Sequence, residues 1–198
     1  MFIILKRIFD IIFSIIILAI FSPLIIFSAF IILIFDLNNP FFIHERSGLN
    51  GRKIKIIKLR TMKDIDNIKR ITFIGAILRV TKIDELPQLI NILKNDMSII
   101  GPRPLFLDFN EYYKMHHKSR LSIKPGLTGL AQIKVRDSTN WSKKFNFDSI
   151  YVKKANYYLD LYILFKTFII VFNSIFKKNH RVIESIDYKR SFFENYCK

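Results

Sequence analysis

The sequence has almost no cysteine. Its single one, Cys197, is the penultimate of 198 residues, so no disulfide can form within the chain and nothing points to an oxidising compartment. It reads as an inert tail thiol. Histidine is scarce as well, and His44, His116, His117 and His180 do not fall at spacings that would gather a zinc ion with cysteine or carboxylate partners. They are assigned no chemistry. Acidic residues are in deficit: 16 Asp and Glu face 32 Lys and Arg, a formal net charge of +16. Yet 51% of the residues are hydrophobic. A membrane surface reconciles the two excesses, because anionic headgroups attract Lys and Arg while hydrocarbon takes up the apolar face. Nucleic acid is the other obvious polyanion, but a domain that binds it needs no long apolar leader. The length suits one compact catalytic body with attached membrane elements and is too short for two ordinary domains.

From Ile8 to Phe35 the chain is almost uninterrupted Ile, Leu, Phe and Ala. At about 1.5 Å per residue this makes a helix long enough to cross a bilayer core. No small-residue cleavage site closes the run, so the segment is expected to stay on the mature protein. Ser22-Pro23 stands mid-run, where proline removes a helical hydrogen bond and favours a kink. Lys6 and Arg7 precede the segment, and Arg46, Arg52, Lys53 and Lys55 follow it, so both ends look cytoplasmic. Two arrangements fit: a plain spanning helix that tolerates its proline, and a helix that bends at Ser22-Pro23 and returns to the face it entered.

Turns at Asn38-Asn39-Pro40 and Asn50-Gly51 open the soluble body. The alternation from Arg52 to Leu59 predicts a strand, paired with Pro40 to Arg46 through the Asn50-Gly51 turn. Its cations form either a solvated face or a basic surface for lipid or donor phosphates. Ile71 to Val80 reads as a helix. Asp84-Glu85-Leu86-Pro87-Gln88 opens another that runs to about Lys94, with Pro87 in its first turn and Asp84 at or near the cap. The ordinary reading of the acid pair is a helix cap and a dipole-complementing acid. In Gly101-Pro102-Arg103-Pro104 the flanking prolines restrict the backbone around Arg103, as suits a guanidinium fork for phosphate. The glycines of Lys124-Pro125-Gly126-Leu127-Thr128-Gly129 would let backbone amides approach an anion, or simply serve turns.

Together these segments closely resemble the bacterial sugar transferases, monotopic polyprenyl-phosphate phosphoglycosyl transferases that begin surface-glycan and glycoprotein assembly. The resemblance runs from Lys6-Arg7-Ile8-Phe9-Asp10 to about Lys177. It is carried by Phe21-Ser22-Pro23, Lys58-Leu59-Arg60-Thr61-Met62, Ile83-Asp84-Glu85-Leu86-Pro87-Gln88-Leu89, Asp96-Met97-Ser98-Ile99-Ile100-Gly101-Pro102-Arg103-Pro104 and Pro125-Gly126-Leu127-Thr128-Gly129-Leu130-Ala131-Gln132, in that order. It implies that Asp84 is a nucleophile toward the donor phosphate and that Glu85 helps place Mg²⁺. Lys58, Arg60, Arg79, Lys82, Arg103 and Arg136 would offset phosphate charge, and Asp148 and Asp160 would be acidic positions near the metal. It also makes Ser22-Pro23 the bend of a re-entrant helix. The implied substrates are a UDP-sugar and a polyprenyl (undecaprenyl) phosphate, with UMP released, at the cytoplasmic face of the bacterial cell membrane. Downstream glycosyltransferases are implied partners, and no nucleic acid is expected.

The sequence departs from the family pattern in places. Lys124 and Leu130 replace a usual Arg and Trp, and Lys134-Val135 stands where Asn-Gly is common. Asn95 replaces a glycine, and His44-Glu45 occupies a place where glutamine is frequent. These changes leave the dyad intact and bear on donor recognition. Tyr157 to Phe176 is apolar and aromatic but carries Asp160, Lys166 and Asn173, which suits an interfacial helix on the same leaflet, or a core helix of the body.

The expected fold is mainly α with a small β element, a monotopic membrane protein with a kinked re-entrant N-terminal helix and interfacial amphipathic helices. The expected segments are a membrane-embedded helix over 1–36, a catalytic domain over 37–156, an interfacial helix over 157–178 and a polar tail over 179–198. The rival classes are a non-catalytic basic membrane module and a nucleic-acid binder.

Overall fold

The computed structural model describes residues 2–65, 68–135 and 140–176. Arg136 and the expected tail over 179–198 lie outside these residues. The described chain is mostly helical with small sheets. Helix α1 runs Phe2–Asp36 with Pro23 inside it. Strands β1 (Phe41–Ser47) and β2 (Lys53–Leu59) follow, then β3 (Met62–Ile65), β4 (Ile68–Ile71) and α2 (Phe73–Thr81). A 3₁₀ turn at Ile83–Glu85 leads into α3 (Gln88–Leu93). Strand β5 (Ser98–Ile100), α4 (Phe109–Tyr112), a 3₁₀ segment at Met115–Leu121, β6 (Gly126–Thr128), α5 (Leu130–Lys134), α6 (Trp141–Lys154) and α7 (Tyr157–Phe176) complete the order.

The sheets are three two-stranded pairs. The expected hairpin forms, antiparallel from Phe41 opposite Leu59 to Ser47 opposite Lys53. The β3–β4 hairpin was not expected. The parallel pair β5–β6 is short, with Ser98 opposite Gly126 and Ile100 opposite Thr128. Here the glycines serve backbone contact. A Cβ on Gly126 would stand 2.1 Å from the Gly101 nitrogen, and one on Gly129 would stand 2.1 Å from the Gly101 carbonyl oxygen. This close approach requires glycine at both positions. It brings the Gly101–Pro104 loop against the Pro125–Gly129 loop, with Gly126 N donating to the Pro102 carbonyl at 2.9 Å.

Packing follows from which apolar side chains these elements turn inward. One core gathers Ile56, Leu89, Ile92, Met97, Ile99, Ile100, Leu130, Tyr151 and Ile163. A second, aromatic one holds Leu105, Phe109, Tyr113, Trp141 and Phe145. A third joins Ile25 and Ile32 of α1 to Leu59 and Leu78.

Helix α1 therefore touches the body along much of its length, and polar anchors fix its first turns. Lys6 pairs with Asp160 at 2.7 Å. Arg7 donates to the Ile92 and Leu93 carbonyls at 2.7 and 3.0 Å, satisfying groups at the C-terminal end of α3. Buried Asp10 accepts from Ile99 N at 3.0 Å. The outer side of α1 is apolar, with Ile8, Ile12, Ile20, Phe27 and Phe30 among its exposed residues. In α7 only Asp160 and Ile163 are buried, which excludes the core-helix reading. Its exposed Leu161, Phe165, Phe168 and Phe172 extend the apolar surface across α2, where Phe73 and Ile77 are also exposed.

Arg120 is the buried cation of the body. Its Nε donates to Asp148 at 3.1 Å, its Nη1 to the Tyr113 hydroxyl at 2.6 Å and its Nη2 to the Arg103 carbonyl at 2.7 Å. Replacing Arg120 with Met is expected to cost about 3–5 kcal/mol, because Asp148 is left buried without its counter-charge. Chemical denaturation of purified variants checks this, and adding Asp148→Asn to Arg120→Met is expected to restore part of the loss.

Candidate active site

The site forms where α2 ends. Thr72 caps α2, its hydroxyl accepting from Gly75 N at 3.0 Å. Gly75 packs so tightly that a Cβ there would stand 2.1 Å from the Thr61 carbonyl oxygen. The same Thr61 accepts from Arg79 Nε through its hydroxyl at 2.8 Å. Two segments distant in sequence, Lys58–Met62 and α2, are thereby locked together. Lys82 then adopts a left-handed conformation, φ 62°, uncommon for a side chain with a Cβ. That turn throws Ile83–Glu85 off the helix axis.

Asp84 does not cap a helix. Pro87 precedes Gln88 as the residue leading into α3, and no side chain caps that end. Asp84 is 7% exposed, and its Oδ1 is enclosed without a hydrogen-bond partner. A buried carboxylate oxygen without a partner calls for an explanation, and a catalytic role or a bound ion is among those available. Glu85 is treated oppositely. Its Oε1 receives Lys58 Nζ and Arg103 Nη2, both at 2.8 Å. The ordinary reading of the pair, a cap and a dipole-complementing acid, fails on both residues.

Electrostatics separates the two carboxyls further. Burial, and then repulsion by Glu85, push Asp84 up to about 6, against the pull of Lys58, Lys82 and Arg79. Burial acts on Glu85 too, but Arg103, Lys58 and Lys82 outweigh it and hold its carboxyl well below the usual range. Burial lowers Lys58 in turn, while its contact with Glu85 works the other way.

The structure thus brings together Asp84, Glu85, Lys58, Arg79, Lys82 and Arg103. Arg60 is engaged elsewhere: its Nε donates to the Asn39 carbonyl at 2.7 Å and its guanidinium lies 5.7 Å from the Phe42 ring centroid. Asp148 is taken by Arg120, and Asp160 accepts from Lys6 and from the Tyr151 hydroxyl. No group of three or more carboxylate, His or Cys side chains suited to a metal forms among the described residues. In this structure Asp148 and Asp160 are the ion-pair partners of Arg120 and Lys6. A hard divalent ion such as Mg²⁺ needs only one or two carboxylates when substrate phosphates complete its shell. The unpartnered Oδ1 of Asp84 and the neighbouring Glu85 fit that description.

His44 was missed. It lies on β1, opposite Ile56 and diagonal to Lys58, and it feels Arg46, Lys58, Arg103 and Glu85. The hairpin register set by the Asn50-Gly51 turn, counted back from Lys58, was the available signal. Two departures from the family pattern meet each other, Lys124 donating to the Asn95 side chain. Asn95 has φ 71°, the conformation a glycine supplies most readily and asparagine next. Leu130 is buried in the main core, so it is a packing residue rather than a plate for the donor.

Comparison with known proteins agrees with this picture. The sequence model of the family described as bacterial sugar transferase matches residues 1–174. An uncharacterized sugar transferase of Bacillus subtilis (strain 168), EpsL, is 39% identical over 191 residues, covering 91% of this chain and 95% of that protein. The undecaprenyl-phosphate galactose phosphotransferase of Salmonella typhimurium is 38% identical over 82% of this chain, which spans only 39% of that relative. The UDP-glucose:undecaprenyl-phosphate glucose-1-phosphate transferase of Caulobacter vibrioides is 34% identical over 82% of this chain and 67% of its own length. With its acid pair set in a ring of cations and a family match that reaches from the first residue through most of α7, this chain belongs to the bacterial sugar transferases.

Proposed function

We propose that this protein transfers a sugar-1-phosphate from a UDP-sugar to undecaprenyl phosphate, releasing UMP, through a covalent intermediate on Asp84. The observation that carries the reading is the enclosed, unpartnered Asp84 Oδ1 beside a Glu85 that is already paired with Lys58 and Arg103. The relatives in Salmonella and Caulobacter act on undecaprenyl phosphate by their names, which supports the acceptor. A non-catalytic membrane module gives no reason for Lys58 and Arg103 to converge on Glu85 beside an unpartnered Asp84.

In this reading an Asp84 oxygen attacks the phosphorus that bears the sugar. The bond between the two donor phosphates breaks, UMP leaves, and an acyl phosphate carries the sugar. An oxygen of the lipid phosphate then attacks the same phosphorus, the acyl bond breaks, and the carboxylate returns. Lys58, Arg79, Lys82 and Arg103 offset the charge of the donor so that a carboxylate can approach it. Glu85 would help hold Mg²⁺, which would supply further neutralisation of the phosphates.

We also place the catalytic body on one membrane leaflet, at the cytoplasmic face. Lys6, Arg7 and Asp10 near the start of α1, and Ile32 near its end, all contact the same body. A helix that crossed about 30 Å of hydrocarbon would carry one of its ends away from that body. Ser22-Pro23, with Ser22 Oγ donating to the Ala19 carbonyl at 3.1 Å, is the proposed bend of a re-entrant helix.

Asp84→Asn is expected to abolish UMP release from a UDP-sugar with Mg²⁺ and undecaprenyl phosphate in a detergent assay; release equal to the native protein would refute the nucleophile. In the native protein kcat/KM is expected to rise with pH through about 6, as Asp84 ionises. A pH profile without an acid limb there contradicts the assignment. Because Asp84 is raised from 3.8 to about 6 in the fold, it is the ionised form that costs stability. That cost is absent below about pH 4, grows up to about pH 6 and then stays constant at about 3 kcal/mol. Metal-free Asp84→Asn is therefore expected to melt higher than the native protein at pH 8 and to lose the advantage at pH 4. For topology, single cysteines at Ile3 and Leu37 in a Cys197→Ser background are expected to react from the cytoplasmic side only; labelling from opposite sides would mean a spanning helix.

A further inference from the structure

His44 is a polar side chain near the dyad that the proposed mechanism does not use, at a place where the family resemblance marks a departure bearing on donor recognition. On the β1–β2 hairpin Phe42 faces Lys58 and His44 faces Ile56, so Phe42, His44, Ile56 and Lys58 share one side of the ribbon. The ring of His44 stacks on Phe42 at 5.3 Å with 22° between planes, which fixes its orientation. Lys58 reaches from this side to Glu85 at 2.8 Å, and Arg103 meets the same oxygen. The imidazole is thus fixed next to the cations that would bind the donor's diphosphate.

Its two nitrogens differ. Nδ1 is enclosed and has no hydrogen-bond partner, whereas Nε2 is not among the enclosed unpartnered atoms. Burial, and then Arg46, Lys58 and Arg103, push the ring's affinity for a second proton down to about 3, so it is neutral at physiological pH. Nε2 is therefore the nitrogen open to a ligand, and we take the neutral ring in its Nε2–H tautomer. A neutral N–H donor is the wrong tool for phosphate when four cations are at hand. It is suited to a neutral oxygen flanking the phosphates.

We propose that His44 is a donor-contacting residue whose Nε2–H hydrogen-bonds a neutral oxygen of the nucleotide sugar, next to its diphosphate. That oxygen belongs to the sugar or to the nucleoside, which present the same chemistry on either side of the two phosphates. The proposal rests on the UDP-sugar reading above. It goes further by giving this chain, where glutamine is frequent in the family, a neutral hydrogen-bond donor of a different shape.

The test uses the full-length protein in detergent with Mg²⁺ and undecaprenyl phosphate. UDP-glucose, UDP-galactose and UDP-N-acetylglucosamine are compared in His44→Ala, His44→Gln and the native chain, with UMP as inhibitor. Loss of one neutral hydrogen bond is expected to lower kcat/KM for the preferred donor about tenfold in His44→Ala, chiefly through KM. His44→Gln, which keeps a neutral N–H, is expected to recover most of it, and the pH at which activity rises is expected not to move. If UMP inhibits His44→Ala as well as it does the native chain, the contact is to the sugar. If UMP inhibition weakens in parallel with KM, it is to the nucleoside. The proposal is overturned if His44→Ala stays within about twofold of native on every donor. It is equally overturned if His44→Gln fails as badly as His44→Ala and both melt lower, since the role is then structural. A native chain that turns over none of the donors defeats the UDP-sugar reading itself, and this proposal with it.

Discussion

The site depends on one unequal division of positive charge. Two adjacent carboxylates stand in the same 3₁₀ turn, yet Lys58 and Arg103 both go to Glu85 and neither forms an ion pair with Asp84. Glu85 is thereby fixed as an anion, and its negative charge, together with burial, makes ionisation of Asp84 costly. A nucleophile needs a lone pair that nothing else has claimed. Pairing Glu85 while leaving Asp84 Oδ1 unpartnered would supply one in the proposed mechanism, and the fold bears the cost of holding it in a dry place.

Much of the remaining structure keeps that turn in position. Gly75 seats α2 on the Thr61 carbonyl, and Arg79 returns to the Thr61 hydroxyl, so the strand that carries Lys58 and the helix that leads to Asp84 cannot drift apart. Arg103 comes from a loop whose backbone is held by Arg120 and pressed against Gly126 and Gly129. Tyr151 links the Ile100 carbonyl to Asp160, and Asp160 holds Lys6 of α1. The helix with the broad apolar outer face is thus wired by hydrogen bonds into the β5 end that precedes the Arg103 loop. The apolar N-terminal helix and the site geometry share one framework.

The sequence made the outline legible where local chemistry decides. Alternation about Asn50-Gly51 foretold the β1–β2 hairpin, an apolar run foretold α1, and the ordered motifs pointed to Asp84, Glu85, Arg79 and Arg103. It was least informative where partners are distant. That Asp148 belongs to Arg120, 28 residues away, and Asp160 to Lys6, 154 residues away, depends on tertiary packing, and so both looked available for a metal. For the Pro125–Gly129 stretch an anion cradle and a plain turn both stood open, because composition does not reveal that Gly126 and Gly129 press on the Gly101 backbone. Lys6 and Arg7 read as topology signals, whereas their side chains dock on the body. His44 stood out only as a departure from a frequent glutamine, since a search for metal spacings ignores what a strand register sets beside a lysine.

The central claim is that Asp84, and not its paired neighbour, carries the phosphosugar. The most direct measurement is rapid quenching of the native protein with a labelled UDP-sugar in the absence of lipid acceptor, followed by peptide mapping of the adduct by mass spectrometry. The account predicts a sugar-phosphate mass added at Asp84 that disappears when undecaprenyl phosphate is supplied. An adduct on Glu85, or turnover to lipid product with no protein-bound phosphosugar at any time, would contradict it.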